Sequence, residues 1–311
     1  MLAARRSEPF VDPDWVFELK WDGVRALLGW DGATVALHSR AGNNISARYP
    51  ELSGFRADRP LVLDGEIVAL DDRGRPSFER LQRRMNLSGV REVAAAAIAV
   101  PISYVAFDML FDSGDITDES WEVRRARLDA LDLPPPFVPS TVVQSDPTAL
   151  WALVEERGFE GIMAKRRGSR YRTGARSADW LKITRFRQVR AMVGGYLPGD
   201  GARSLAFGSL LLGLWDAGSL RWIGAVGSGF GETALRAIRE TLDVLEVADS
   251  PFGIDPDLPG NAVWVEPRLV ALVQYKEYTD AGRLRGPSFG GFTDDDPTLI
   301  TWEREGPGSP G

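Results

Sequence analysis

Lys20 sits in the segment Glu18-Leu19-Lys20-Trp21-Asp22-Gly23-Val24-Arg25. A lysine amine can attack a phosphorus centre once it has shed its proton, which nearby cations or loss of solvent promote. Taken alone, the same residues also read as a surface β-turn with Asp-Gly at its tip. The rarity of lysine shifts the balance. Only Lys20, Lys165, Lys182 and Lys276 occur among 37 basic residues. Arginine replaces lysine on most solvated surfaces, but poorly where a compact amine must act as nucleophile or as a point charge on phosphate. The surviving lysines therefore mark where chemistry is to be sought.

Three further segments carry matching groups. Leu63-Asp64-Gly65-Glu66-Ile67-Val68 places two carboxylates inside an apolar run, where they are costly unless they hold a cation, a hydroxyl or another partner. Glu160-Gly161-Ile162-Met163-Ala164-Lys165 and Trp180-Leu181-Lys182-Ile183-Thr184 alternate in strand fashion, which assigns Glu160 and Lys182 to defined faces. A carboxylate there can hold a hard divalent cation that bridges phosphate oxygens. Lys165, Arg166, Arg167, Arg170, Arg172 and Arg176 put six cations in twelve residues, and no acid occurs from Ile162 to Ala178. Such a run suits a nucleic-acid backbone. Arg80, Arg83 and Arg84 form a second basic patch on an expected helix. The single histidine, His38, reads as an ordinary strand residue.

The elements that must position these groups are mostly strands. The pattern predicts strands at 16–20, 24–30, 34–39, 61–70 and 102–111, and helices at 78–85, 121–131 and 148–157. Strands at 160–165 and 180–186 follow. The character changes near Arg185–Arg190. Short strands then read at 191–196, 209–215 and 220–226, the last two joined by Asp216-Ala217-Gly218 like a hairpin. One amphipathic helix at 233–245 and one long strand at 263–278 complete the order, which suits a small barrel, with the OB-fold leading. The end, 306–311, reads as flexible. Gly227-Ser228-Gly229-Phe230-Gly231 imitates a dinucleotide-binding loop, but its spacing is wrong and no βαβ unit surrounds it.

Composition sets the limits. A chain of 311 residues, 44% hydrophobic and 26% charged, suits about two ordinary globular domains. The lack of cysteine excludes a disulfide framework, a thiol nucleophile and Cys-ligated metal. No apolar run is long enough for a membrane span, and the first residues lack an apolar signal core. The expectation is a cytoplasmic, nucleoid-associated monomer. Residues 1–187 hold 27 basic and 27 acidic residues, whereas 188–311 hold 10 and 17. The net charge of -7 thus lies in the second part, and nucleic acid could bind only through a local basic track.

In this order, K-x-D-G, D-G-E, F-D, E-G-x-x-x-K and W-x-K resemble the nucleotidyltransferase motifs of the ATP-dependent DNA ligases, especially the bacterial ligases of non-homologous end joining. Ser39-Arg40-Ala41-Gly42-Asn43 looks like the arginine motif, Val105-Ala106-Phe107-Asp108 like the adenine-stacking strand, and Leu284-Arg285-Gly286-Pro287-Ser288-Phe289 like the last motif. The resemblance implies an α+β chain: an adenylation domain of antiparallel sheets with flanking helices at 1–187, then a C-terminal OB-fold barrel at 188–311. It implies ATP and Mg2+ (or Mn2+) as cofactors and a nick in duplex DNA as substrate, with the end-binding protein Ku as a partner. Lys20 would form lysyl-AMP, and Asp22 would assist near the nick hydroxyl. Glu18, Arg25, Arg40, Glu66, Phe107, Lys165, Lys182 and Arg285 would bind ATP or AMP: Arg25 and Glu66 at the ribose, Phe107 over the base, Lys165 and Lys182 at the α-phosphate. Glu66 and Glu160 would hold metal. Arg40, Arg83, Arg84, Arg166, Arg167, Arg170 and Arg172 would contact DNA. RNA ligases and capping guanylyltransferases share K-x-D-G and the two-domain plan, and a non-catalytic nick-binding protein could keep the fold.

Two stretches depart from the family. Thr184 stands where a second alternating lysine is common. Thr293-Asp294-Asp295-Asp296 stands where an arginine and a lysine commonly meet pyrophosphate. Three aspartates there should repel the leaving group, so the expectation is slow self-adenylylation with later steps less affected.

Overall fold

The computed structural model describes residues 1–201 and 206–307, and it divides into two compact units, Met1–Arg185 and Phe186–Gly311. The expected boundary lay two residues later. Most of the expected flexible end, 308–311, lies outside the described residues.

Two five-stranded sheets build the first unit. One has the order β1-β10-β9-β2-β8, from β1 (Leu2–Arg6), β2 (Trp15–Leu19), β8 (Val142–Gln144), β9 (Gly161–Arg166) and β10 (Arg176–Thr184). The other has the order β4-β3-β5-β6-β7, from β3 (Val24–Trp30), β4 (Val35–Ser39), β5 (Leu61–Ala69), β6 (Ile102–Asp112) and β7 (Phe137–Pro139). Pairing is antiparallel except at two places, β1 on β10 and β7 on β6. Helix α4 (Thr148–Arg157) packs over the first sheet, where Leu150 and Val154 meet Phe17, Ile162, Ala164 and Ile183. Helices α1 (Phe78–Met85) and α3 (Trp121–Asp129) add Leu81 and Leu128 to the core of the second.

The period of two decides what faces inward from the first sheet. Phe17, Ile162, Ala164 and Ile183 take the α4 side. Their alternates Glu18, Met163, Lys165, Trp180 and Lys182 take the other. There the register sets Glu18 and Lys182 on either side of Met163, and Trp180 opposite Lys165. Covered on both faces, β2 buries even Glu18.

In the second unit β11 (Arg187–Pro198), β12 (Phe207–Asp216) and β13 (Ser219–Val226) lead a seven-stranded sheet, and α5 (Glu232–Val244) follows. The expected strand 263–278 is three pieces: β15 (Val263–Val265), β16 (Val270–Tyr275) and β17 (Glu277–Tyr278). Pro267 lies in the first gap and has no N–H for a ladder. Both β15 and β16 pair with β11. The glycine-rich turn before α5 is structural: Phe289 N–H donates to Ser228 O at 2.9 Å, and a Cβ on Gly229 would meet Phe289 O at 2.3 Å.

Several elements were not expected, among them the short strands β7 and β8, strand β1 and one helix. Strand β1 is short and carries two arginines. Helix α2 (Val90–Ala99) contains the run Ala94–Ala97. Alanine is the best helix former, so that signal was present in the composition.

Candidate active site

Lys20 directly follows β2, and the chain turns through Trp21 and Asp22 into β3. The turn is tight because Gly23 lies against β5: a Cβ there would sit 2.1 Å from Ile67 O. Gly161 makes the same kind of approach at the start of β9. Its φ is +150° and a Cβ would sit 2.1 Å from Ile183 O, a conformation and a space that only glycine satisfies. Glu160 is thereby fixed one residue before the strand, where Lys20 Nζ donates to its carboxylate, with side-chain exposures of 21% and 8%.

Lys20, but not its partner Glu160, lines a cavity of about 250 Å³. Its walls bring together most of the residues expected there: Glu18, Lys20, Arg25, Arg40, Glu66, Phe107, Lys165 and Lys182. Leu2, Ala3, Met163 and Trp180 add an apolar end, and Arg176 a further cation. Sequence reasoning assigned none of these five to the nucleotide pocket. Trp180 and Met163 had a signal in their period-two alternation with Lys182 and Lys165. Leu2 and Ala3 had none, because β1 reaches the site through pairing with a strand about 175 residues away.

The charges are arranged in pairs. Lys165, buried, donates to Glu18 Oε1 at 2.7 Å and to Phe107 O at 2.9 Å. Its Nζ lies 4.7 Å and 4.6 Å from the Phe107 and Trp180 ring centroids. Burial lowers its ammonium pKa, while Glu18 and Asp108 oppose that. Arg25 is bidentate on Asp64 at 2.9 and 2.6 Å, which holds its pKa above the ordinary arginine value against desolvation. Lys182 is held below its usual range, first by partial burial and then by Lys20, Arg5 and Arg176. Burial pushes the Glu66 carboxyl up to about 8, with Lys20 and Arg25 pulling it down and Asp64 and Glu160 adding to the rise. Glu66 is thus a hydrogen-bond donor at neutral pH, while Glu160 accepts.

Among the described residues no three acidic or imidazole side chains converge as a metal site. Two carboxylates, Glu66 and Glu160, flank Lys20. Glu160, with Glu66 once it is ionised, fits Mg2+, which keeps several waters and takes one or two carboxylates together with substrate phosphates.

Residues 1–184 match the ATP dependent DNA ligase domain model, and residues 203–296 match the ATP dependent DNA ligase C terminal region. This chain belongs to the ATP-dependent DNA ligases. It is 37% identical over 289 residues to the multifunctional non-homologous end joining DNA repair protein LigD of Mycobacterium tuberculosis, covering 90% of this chain and 36% of that one. It is 32% identical over 307 residues to the bifunctional LigD of Bacillus subtilis, covering 92% and 47%. The chain thus spans between about a third and a half of the length of these relatives. The crystal structure of the ligase domain of M. tuberculosis LigD superposes with TM-score 0.55 at 34% identity, covering 96% of each chain. A mycobacterial DNA ligase D complexed with ATP and MES gives 0.55 at 32%, covering 96% and 97%.

Several expected residues take other places in this chain. Arg84, expected on DNA, is 1% exposed: it pairs with Glu51, donates to Arg48 O at 3.0 Å and Val100 O at 3.1 Å, and lies over Tyr49. It is a core residue. Arg167 is half-buried and held by Pro13 O, Glu122 and Gln144, so it braces the loop rather than facing outward. Arg83, Arg166, Arg170 and Arg172 are exposed. Lys165, expected at the α-phosphate, has its ammonium engaged by Glu18 in the pocket wall. Asp22 is half-buried and is not among the residues lining the cavity. In the second unit Arg285 pairs with Glu277 at 2.6 Å. Two of the three aspartates of the departing segment have structural work: Asp295 pairs with Arg190 at 3.4 Å, and Asp296 caps a short 3-10 turn by accepting from Thr298 N–H.

Proposed function

We propose that this chain seals nicks in duplex DNA, with ATP as the source of AMP and Lys20 as its carrier. The single observation that carries this reading is the convergence of Lys20, Glu66, Arg25, Lys182, Phe107 and Trp180 on one cavity, with Glu160 paired to Lys20, in a chain of this family. The base enters the apolar end against Phe107 and Trp180. Glu66, in its protonated form, and Arg25 hold the ribose, and Glu18 with Lys165 closes the wall beside the base. Lys182 and Arg40 meet the phosphates. Glu160 would hold Mg2+ or Mn2+, joined by Glu66 only once that group has lost its proton, and the metal would neutralise charge on phosphate oxygens.

Attack needs an amine free of its extra proton, and Glu160 is the acceptor in hydrogen-bond contact with it. Lys20 Nζ then bonds to the α-phosphorus as the bond to pyrophosphate breaks. AMP passes from Lys20 to the 5'-phosphate of the nick, and the 3'-hydroxyl, assisted by Asp22, displaces AMP and closes the strand. The fixed cations lower the barrier mainly by positioning and charge neutralisation.

The first unit is the adenylation domain and the second the OB domain. Arg40, Arg83, Arg166, Arg170 and Arg172 track the DNA backbone, and end joining with Ku is the expected setting. The enzyme acts as a cytoplasmic, nucleoid-associated monomer. Asp295 and Asp296 are partly offset by their partners, so the residual repulsion rests on exposed Asp294, and Arg285 gives compensation only by leaving Glu277.

Intact mass before and after incubation with ATP and Mg2+ tests the reading. A gain of one AMP in the wild type but not in Lys20→Ala is expected. No gain, with Mn2+ tried as well and no adduct already present, would sink it and favour a nick-binding module.

A further inference from the structure

Asp64 is a motif carboxylate with no task assigned from the sequence, and the structure gives it two partners. Its Oδ1 accepts from Arg25 Nε and its Oδ2 from Arg25 Nη2. The same Oδ2 accepts from the Tyr171 hydroxyl at 2.7 Å, and Arg25 Nη2 also lies 3.2 Å from that hydroxyl. Asp64 is wholly buried and Tyr171 nearly so. The three groups form a closed triangle behind the nucleotide pocket, with Arg25 as the member that lines it.

Tyr171 comes from the connection between β9 and β10 that carries the exposed arginines. Burial alternates along it: Ser169 and Tyr171 are buried, while Gly168, Arg170 and Arg172 are exposed. Ser169 O accepts from Arg124 at 3.0 Å, Tyr171 N–H donates to Thr117 O at 2.8 Å, and the Tyr171 ring lies edge-on to Trp180 at 5.8 Å. Arg124 itself is locked on Asp108, with both side chains fully buried. Inner and outer residues alternate along one short stretch of backbone. The ion partners of its outer arginines are weak: Arg170 with Asp118 and Arg172 with Asp179 are both at 3.5 Å, and both arginines are well exposed. Polyanion phosphates compete readily with such pairs.

We propose that Tyr171 and Asp64 are positioning residues that couple DNA on the outer face of this segment to Arg25 in the nucleotide pocket. The inference rests on the nick-sealing reading for what binds at either end. DNA held by Arg170 and Arg172 keeps Tyr171 seated, Tyr171 keeps Asp64 aimed, and Asp64 keeps Arg25 on the nucleotide. Linkage requires the reverse as well: AMP held in the pocket must tighten DNA by the same factor.

The test is the Kd for a nicked duplex, measured in EDTA on protein charged with AMP and on protein stripped of it with pyrophosphate. The ratio of the two constants is the quantity read. In the wild type charging should tighten DNA about fivefold or more, the lower end of ordinary coupling. Tyr171→Phe keeps the ring and removes the hydroxyl, and should bring the ratio below about twofold, near the uncoupled limit. Asp64→Asn, which keeps the shape but weakens the hold on Arg25, should do the same. Arg170→Ala should weaken DNA in both states and leave the ratio in place, because it removes a phosphate contact and not the triangle. A wild-type ratio near one, or a Tyr171→Phe ratio equal to that of the wild type, overturns the inference while the AMP adduct still forms. Absence of any adduct in the wild type overturns the nick-sealing reading and the inference with it.

Discussion

Glu18 and Lys165 meet at 2.7 Å with both side chains 2% exposed, on adjacent strands beneath the Phe107 ring. A charge so placed is tolerated only with its partner, since the loss of one leaves the other desolvated and unpaired. Glu18→Gln and Lys165→Met should each destabilise the first unit by about 3–5 kcal/mol, and the double variant by clearly less than their sum. Urea denaturation of the four proteins gives the cycle. Strict additivity would show that the two charges do not depend on each other.

Arg84 and Arg170 look alike in the sequence and should behave in opposite ways. Arg84→Ala opens a buried pair with Glu51 and should cost about 3 kcal/mol. Arg170→Ala should leave stability within about 0.5 kcal/mol while weakening nicked DNA and lowering the salt slope by about one. Melting curves and DNA titrations at several salt concentrations separate the two. An Arg84→Ala protein of normal stability with impaired DNA binding would reverse the assignment.

Glu66 makes stability depend on pH in a set direction. Its carboxyl keeps its proton up to about 8 in the folded chain, against 4.5 as the ordinary value. Between these values the unfolded state has lost a proton that the folded state retains, so stability falls as pH rises through this window and levels off above it. Glu66→Gln lacks the group. In EDTA, the variant should gain stability relative to the wild type from pH 5 to pH 8, and no further beyond. Parallel curves across that range would mean that Glu66 ionises normally.

Gly161 should not tolerate even one methyl group. Gly161→Ala adds a Cβ 2.1 Å from Ile183 O at φ +150°, and relief means moving β9 away from β10. We expect a loss on the order of 2 kcal/mol, and slower lysyl-AMP formation because Glu160 moves with the strand. Rapid-quench measurement of the adduct reads the second effect. Wild-type stability with a wild-type rate would show that the close approach is not needed.

What the sequence made legible follows physical range. The helices Phe78–Met85 and Thr148–Arg157 were read with their observed ends, because their signals lie within a few residues. For α4, Asp146 accepts from the Thr148 N–H just before the helix. The motif residues converged because each lies on a strand, or at the end of one, whose alternation fixes the neighbouring faces. The failures involve distant partners. Asp64 needed Tyr171, 107 positions away, to make sense. Arg84 was read as a surface cation although it stands three residues from buried Leu81, on the inward stripe of its helix. The helical period held that information, but the residue type outweighed it. Strand β1 was missed because a short edge strand pairing in parallel leaves almost no local trace.

The glycines of K-x-D-G and E-G-x-x-x-K are demanded by a neighbouring carbonyl, not by any reacting atom. Their signature is therefore architectural. A descendant that had given up ligation and kept only the fold would retain Gly23 and Gly161 unchanged, and a motif search would still report it as an enzyme. Drift after loss of chemistry would show first at Lys20 and Glu160, whose pairing no backbone contact requires. The informative letters for sorting working members of such a lineage from retired ones are the two charged ones.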